Sequence, residues 1–315
     1  MEFGRLPEKD LNKVDFSLPP DPSINKRVLK KTNTSAVVWL GCAKWGRREW
    51  VGKIYPKGAR ESNFLEHYLH HYNAIELNAT HYKIYSASEI AKWNAKAAGL
   101  NFRFCPKVPQ SISHFGNLAS SQSAALTDAF FEGILEFAEH LGPIFLQVGE
   151  RFSPRQRDDL YAYLTMLPTD LQFFLEVRHP EWFSDKTVRD ELFDTLCRLG
   201  IGAVITDTAG RRDCAHMTLT IPKTFIRFVG NSLHNTDYKR CDEWCERIKY
   251  WLDQGLKELY FFMHMHDEAF SPELSLYLVD FLNKTCNLNL PRPAFVASSL
   301  FNQFSRAAKK IPRGA

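Results

Sequence analysis

Several ionisable side chains in this sequence sit at the ends of short apolar runs, where alternation decides which way they face. In an extended strand, successive side chains point to opposite faces. In Ala74–Asn78, Ile75 and Leu77 take one face and leave Glu76 and Asn78 on the other. The same reading turns Lys107 inward behind Phe102 and Phe104, Gln147 behind Leu146 and Val148, and Glu176 and Arg178 behind Leu175 and Val177. It also turns Asp207, Arg227, His264 and His266 to the inner face. Carboxylates beside a histidine suit general acid–base catalysis, with Glu76 or Glu176 as base, His264 as acid, and neighbours of opposite charge separating their pKa values. Lys107, Arg178 and Arg227 suit a phosphate or carboxylate, which arginine grips bidentately. Asn78 and Gln147 would orient hydroxyls. The structural alternative is a neutral network of Glu76, Glu176 and Asp207 against Lys107, Arg178 and Arg227, because buried charges need partners.

His264, His266 and Glu268 share a parity, and imidazole with carboxylate suits Zn²⁺ or Mn²⁺. Paired histidines without a recognised spacing motif are weak evidence for a metal, and the plainer reading is that they hydrogen-bond Glu76 or Glu176 and orient substrate; a divalent metal stays open. Cys241 and Cys245 lie one helical turn apart without further ligands nearby, which fits packing. Trp45, Tyr82, His114, His179 and Trp182 follow apolar runs and fall on loops, where rings stack on a sugar or base or anchor the loop. There is no phosphate-cradling Walker loop, GxGxxG or GxSxG pattern, so no nucleotide-cofactor motif is present.

The elements that must carry these residues alternate. Strands are expected at Val37–Ala43, Ala74–Asn78, Asn101–Lys107, Ile144–Gly149, Gln172–Arg178, Ala203–Asp207, Thr224–Val229 and Leu259–His264. Between them, Phe64–Tyr72, Ser88–Ala98, Thr127–His140, Pro154–Met166, Thr187–Leu199 and Asp242–Gln254 carry apolar residues at spacings of three and four. Gly99, Gly142, Gly200 and Gly255 stand where helices would stop. Eight strands alternating with helices predict an α/β fold of the TIM-type (β/α)8 barrel, with a doubly wound sheet as the alternative. The charged residues then gather at the carboxyl ends of the strands, where barrel enzymes build their sites.

Residues 1–35, with Leu18-Pro19-Pro20-Asp21-Pro22, read as an extended arm. Residues 36–285 are the barrel, and residues 286–315 a terminal segment with a basic tail from Arg306 to Arg313. A chain with 44% hydrophobic residues has ample core, and a net charge of +4 is too mild to indicate nucleic-acid binding by itself. No apolar run approaches the ~20 residues of a membrane span. Seven cysteines without a framework, and no leader pattern at Met1–Arg5, predict a cytoplasmic protein.

An ordered series of segments resembles the YecE-like family, Domain of Unknown Function 72. These are Gly41-Cys-Ala-Lys-Trp45, Glu76-Leu-Asn78-Ala-Thr-His-Tyr82, Phe102-Arg-Phe-Cys-Pro-Lys107, Gly142-Pro-Ile-Phe-Leu-Gln147, Glu176-Val-Arg-His179 and Ile226-Arg227-Phe-Val-Gly230. The resemblance implies a TIM-type barrel and supplies no reaction. Two departures stand out: Lys44 replaces a glycine usual in the first segment, and Met263-His-Met-His-Asp-Glu268 replaces an asparagine-containing ending. The reading that follows is an enzyme, a hydrolase, isomerase or lyase, acting on a small anionic molecule, phosphorylated or carbohydrate-like. Its alternatives are a metal-assisted phosphodiesterase of the endonuclease IV type acting on nucleic acid, and a barrel that binds ligand without turnover.

Overall fold

Parallel strands with helical crossovers must wind in one hand, and eight such units curl into a ring. The computed structural model of this chain describes residues 2–31 and 35–296 and shows that ring. Its strands are β1 Val37–Cys42, β2 Ala74–Leu77, β3 Arg103–Pro106, β4 Ile144–Gln147, β5 Phe173–Glu176, β6 Gly202–Asp207, β7 Lys223–Gly230 and β8 Glu258–Met265. All are parallel, in the order β3-β2-β1-β8-β7-β6-β5-β4. Single bridges, Phe104 to Leu141 and Lys107 to Phe145, nearly close the remaining seam between β3 and β4. The fold is a TIM-like barrel, as the alternation of elements predicts.

Two expectations about the crossovers need correction. The stretch Thr127–His140 is not one helix: an α-helix over Ser121–Ile134 passes into a 3₁₀ segment over Leu135–His140, with Ala138 at φ 44°. Gly142 is no helix stop either. It lies on the β3–β4 seam, where a Cβ would sit 2.6 Å from Cys105 Sγ and 3.0 Å from the Phe104 carbonyl oxygen. A helix over Ser271–Cys286 completes the eighth unit, with Pro272 in its first turn.

Inside the ring, Trp39, Ala74, Cys105, Phe145, Phe174, Val204, Phe225, Tyr260 and Phe262 form a closed aromatic-rich layer. Rings pack there at centroid distances of 4.8 Å (Phe225–Phe262) to 6.5 Å (Phe174–Tyr260). This apolar floor lets the carboxyl ends of the strands hold charges above it. The outward residues, such as Ile75, Leu77, Leu146 and Ile226, pack on the helices.

Among the described residues, the amino-terminal arm forms no strand. It carries short helices at Glu8–Leu11 and Ile24–Val28, and its Phe3 and Leu29 join the same apolar cluster as the barrel. Gly255, at φ 108°, ends the helix Asn235–Gln254 and passes so close to the arm that a Cβ would lie 2.1 Å from the Lys30 carbonyl oxygen. At the mouth, the Phe3 ring lies 4.0 Å from the Arg178 guanidinium carbon, and the Gly210 amide donates to the Gly4 carbonyl at 2.7 Å. Burying one phenylalanine contributes about 2 kcal/mol. Phe3→Ala is therefore expected to undock the first residues of the arm and to speed hydrogen exchange at the Gly210 amide. Unchanged protection there would mean that the arm is held elsewhere. The basic tail, Arg306–Arg313, lies outside the described residues.

Candidate functional site

Seven strands deliver polar side chains to the carboxyl-end mouth. Arg227 of β7 is the centre of the arrangement. Its Nε and Nη2 donate to Glu76 Oε2 and Oε1 at 2.9 and 2.8 Å, and its Nη1 donates to Glu176 Oε2 at 2.7 Å. One guanidinium thus holds carboxylates from β2 and β5. Glu176 Oε1 also accepts from Arg178 Nε and from Thr206 Oγ1, both at 2.8 Å. Glu76 pairs with His264 Nε2 at 2.9 Å and accepts from Asn78 Nδ2 at 2.7 Å. Gln147 Oε1 accepts from Lys107 Nζ at 2.9 Å and lies 3.4 Å from Arg227 Nη1.

Apart from the half-buried Asn78 these groups are buried, with Glu76 fully so and Arg178 at 7% exposure. Burial works against ionising Glu76, but Arg227 and then His264 hold its carboxyl well below the usual range. Burial likewise opposes ionised Glu176, and Arg178, Arg227 and Lys107 overcome it, bringing the carboxyl to about 2. Lys107 is the exception among the cations. Burial, followed by the charge of Arg227, brings its amine down to about 7, and Glu176 offsets this only in part. His81 and His114, whose rings meet edge to face at 4.9 Å, are each lowered to about 4 by burial and then by Lys107.

Thr80 fixes the Lys107 backbone: its Oγ1 donates to the Lys107 carbonyl at 2.8 Å and accepts from the Lys107 amide at 3.0 Å. His114 reaches the cluster through Gln147 Nε2, 3.4 Å from its Nε2. His81, buried beside it, and Thr206 were not among the candidates read from the sequence, although both lie next to residues that were.

Asp207 does not face the mouth. It is the outward residue at the end of β6, where it meets Arg240 at 2.9 Å, Trp244 Nε1 at 2.7 Å, and Arg212. Thr206 takes the inner position. The rings expected around the mouth also separate. Trp182 is fully buried, its indole donating to the Phe152 carbonyl, and Trp45 packs edge to face on Trp93. Tyr82 is 73% exposed, and His179 Nδ1 accepts from the Glu181 amide. His266, just past β8, is half-buried and its amide donates to Gly230. Glu268 turns to Ser271 and Arg47 rather than to His264. Among the described residues, no group of three or more His, Cys, Asp or Glu side chains is arranged to hold a metal ion. A cleft of about 490 Å³ lies away from the mouth, between the arm at Pro19–Ile24 and residues including Phe193, Arg212 and His216.

The family profile described as "Protein of unknown function DUF72" matches residues 39–295, which spans every strand but the first two residues of β1. The chain belongs to the DUF72 family. The UPF0759 protein YecE of Escherichia coli (strain K12) is 28% identical over 267 residues, covering 79% of this chain and 94% of that protein. The UPF0759 protein YunF of Bacillus subtilis (strain 168) is 24% identical over 153 residues, 47% of this chain and 53% of that one. Among solved structures, a DUF72 family protein from Enterococcus faecalis superposes with a TM-score of 0.60 at 15% identity, covering 84% of this chain and 99% of its own. One from Thermotoga maritima gives 0.57 at 19% identity, covering 80% and 100%. At these identities the superpositions speak for the fold. Among the described residues, no helix is long and apolar enough to cross a membrane, and all seven cysteines are free.

Proposed function

We propose that this DUF72 barrel is an enzyme that binds a small anion at its carboxyl-end mouth and acts on it by proton transfer. The observation that carries this reading is Lys107. Among the described residues no carboxylate lies within ion-pair distance of its ammonium, which donates to the neutral Gln147 amide instead. Arg178 and Arg227 are committed to Glu176 and Glu76, and Arg178 also reaches the exposed Glu150 at 3.9 Å; among the buried groups alone, 3 cations less 2 carboxylates leave one positive charge whenever Lys107 is protonated. A carboxylate or phosphate of the substrate would complete that balance.

The acid–base role falls on His264 rather than on the carboxylates. Each oxygen of Glu76 and Glu176 already accepts hydrogen bonds, and both acids are held far below the pH at which a carboxylate is an effective base. Glu76 instead orients the imidazole through Nε2, which assigns proton exchange with substrate to Nδ1. Asn78 and Gln147 would position hydroxyls, and substrate entry would displace Phe3 from Arg178.

The test is a thermal-shift titration with inorganic phosphate and glycolate, beside a turnover screen over phosphate esters, glycosides and hydroxy acids. Either anion is expected to raise the melting temperature of the wild-type protein and to have no effect on Lys107→Met. Any turnover found should fall at least about a hundredfold in His264→Gln. Anion responses equal in the two proteins would sink the proposal. Binding without turnover across the screen would favour a barrel that captures its ligand unchanged.

A further inference from the structure

We infer that Lys107 is a nucleophile that forms an imine with a small aldehyde or ketone, one that also carries a carboxylate or phosphate. Four observations converge on this amine. It is buried, at 6% exposure, above the apolar floor of the barrel, with the Phe145 ring 5.9 Å away. It donates to an uncharged amide oxygen and, among the described residues, has no carboxylate within ion-pair range. Its backbone is clamped on both sides by the Thr80 hydroxyl, which fixes where the side chain starts. It also stands at the β3–β4 seam, where a single bridge to Phe145 replaces a full ladder.

The surrounding charges come from every neighbouring element: Arg227 from β7, Glu176 from β5 and Arg178 just past its end, Glu76 from β2, His81 from the helical turn Ala79–Tyr82, and His114 from the end of the helical turn Gln110–Ser113. The acids among them are neutralised by the two arginines, so the field at Nζ disfavours a further proton. An apolar, cation-flanked setting is what converts a lysine into a nucleophile. Burial and Arg227 bring the amine to about 7, so a sizeable share of it is free base at neutral pH. An ordinary lysine has on the order of a thousandth as much.

The step balances within the site. The nitrogen lone pair forms the C–N bond, the carbonyl π pair moves onto oxygen, and dehydration of the carbinolamine expels that oxygen. The two amine hydrogens leave with it as one water. The imine, once protonated, withdraws electrons from the adjacent carbon, and His264 can exchange a proton with that carbon or its hydroxyl. No oxidant or metal is needed.

This inference rests on the anion-binding reading, and the test separates the two. The full-length protein is incubated at neutral pH with glyoxylate and sodium cyanoborohydride, which reduces an imine in place. Modified lysines are then located by peptide mass spectrometry. Lys107 is expected to gain the mass of glyoxylate less one oxygen atom, at least about tenfold faster than any other lysine. Glycolaldehyde, which is uncharged, should label it several-fold more slowly, and glycolate should protect it. If Lys107 stays unlabelled while glycolate still raises the melting temperature, the imine is overturned and the anion site stands. Equal labelling by glycolaldehyde and no protection by glycolate would keep the nucleophile and overturn the anion. The measurement reads the wild-type chain, so it does not depend on a variant that folds.

Discussion

Arg227→Met is expected to lower the unfolding free energy by about 3–5 kcal/mol at pH 7, because it leaves two buried carboxylates short of their shared cation. Glu76 would keep only His264 and Asn78, and Glu176 only Arg178 and Thr206. The loss carries a pH signature. In the wild-type protein both acids are depressed in the folded state. Their stabilisation is therefore complete above the unfolded value of about 4.3 and is lost as pH falls through the folded values. Without Arg227 both carboxyls shift upward, Glu76 further than Glu176, which keeps Arg178. Where burial lifts a carboxyl above its unfolded value, the penalty is full above the raised folded value, shrinks as pH falls through it, and is gone below about pH 4.3. Urea unfolding of both proteins at neutral pH and near pH 4 decides. A difference that does not narrow on acidification would show that Arg227 acts by packing, not as a counterion.

Much of this site can be read from strand parity alone, and the exception shows where parity fails. Glu76, Lys107, Gln147, Glu176, Arg227 and His264 each sit between outward apolar residues, so a single polar residue marks the inner face. In β6 the run Ala203-Val-Ile-Thr-Asp207 is apolar on both faces and ends in two polar residues. Strands covered on both sides lose the alternating signal. The more ionisable residue suggests the mouth, yet Asp207 is held outward by Arg240 and Trp244, which arrive from a helix 30-odd positions later. Such long-range partners leave no mark at the strand itself. Trp182 fails for a related reason: its place after β5, in the short helix Glu181–Ser184, says nothing of the Phe152 carbonyl that draws its indole inward. The pairing that matters most, one arginine shared by two acids, likewise follows from the ring closing and not from any local pattern.

Lys107→Met is expected to make the protein more stable, by about 2–4 kcal/mol at neutral pH, while removing its reactivity. An unfolded lysine titrates near 10.4, whereas the folded Lys107 amine is lowered to about 7 by burial and then by Arg227. Below pH 7 both states carry the proton, and the folded state bears the whole penalty of a buried charge. Between about 7 and 10.4 the unfolded chain binds more protons than the folded one, so stability climbs with pH. Above that range the penalty is gone. Each unit of depression corresponds to about 1.4 kcal/mol, which sets the upper end of the expected gain. Methionine keeps the apolar bulk and removes the charge. The advantage of the variant should therefore be largest at or below pH 7 and should fade towards pH 10, a difference that paired urea melts read directly. A variant less stable than wild type at pH 7 would mean that the ammonium is well paired, and both the unpaired charge and the nucleophile would fall with it. The expected result has the opposite sense. A fold that would gain stability by losing one lysine, yet clamps that lysine's backbone with Thr80 and aims it at the mouth, holds it for activity at the expense of stability.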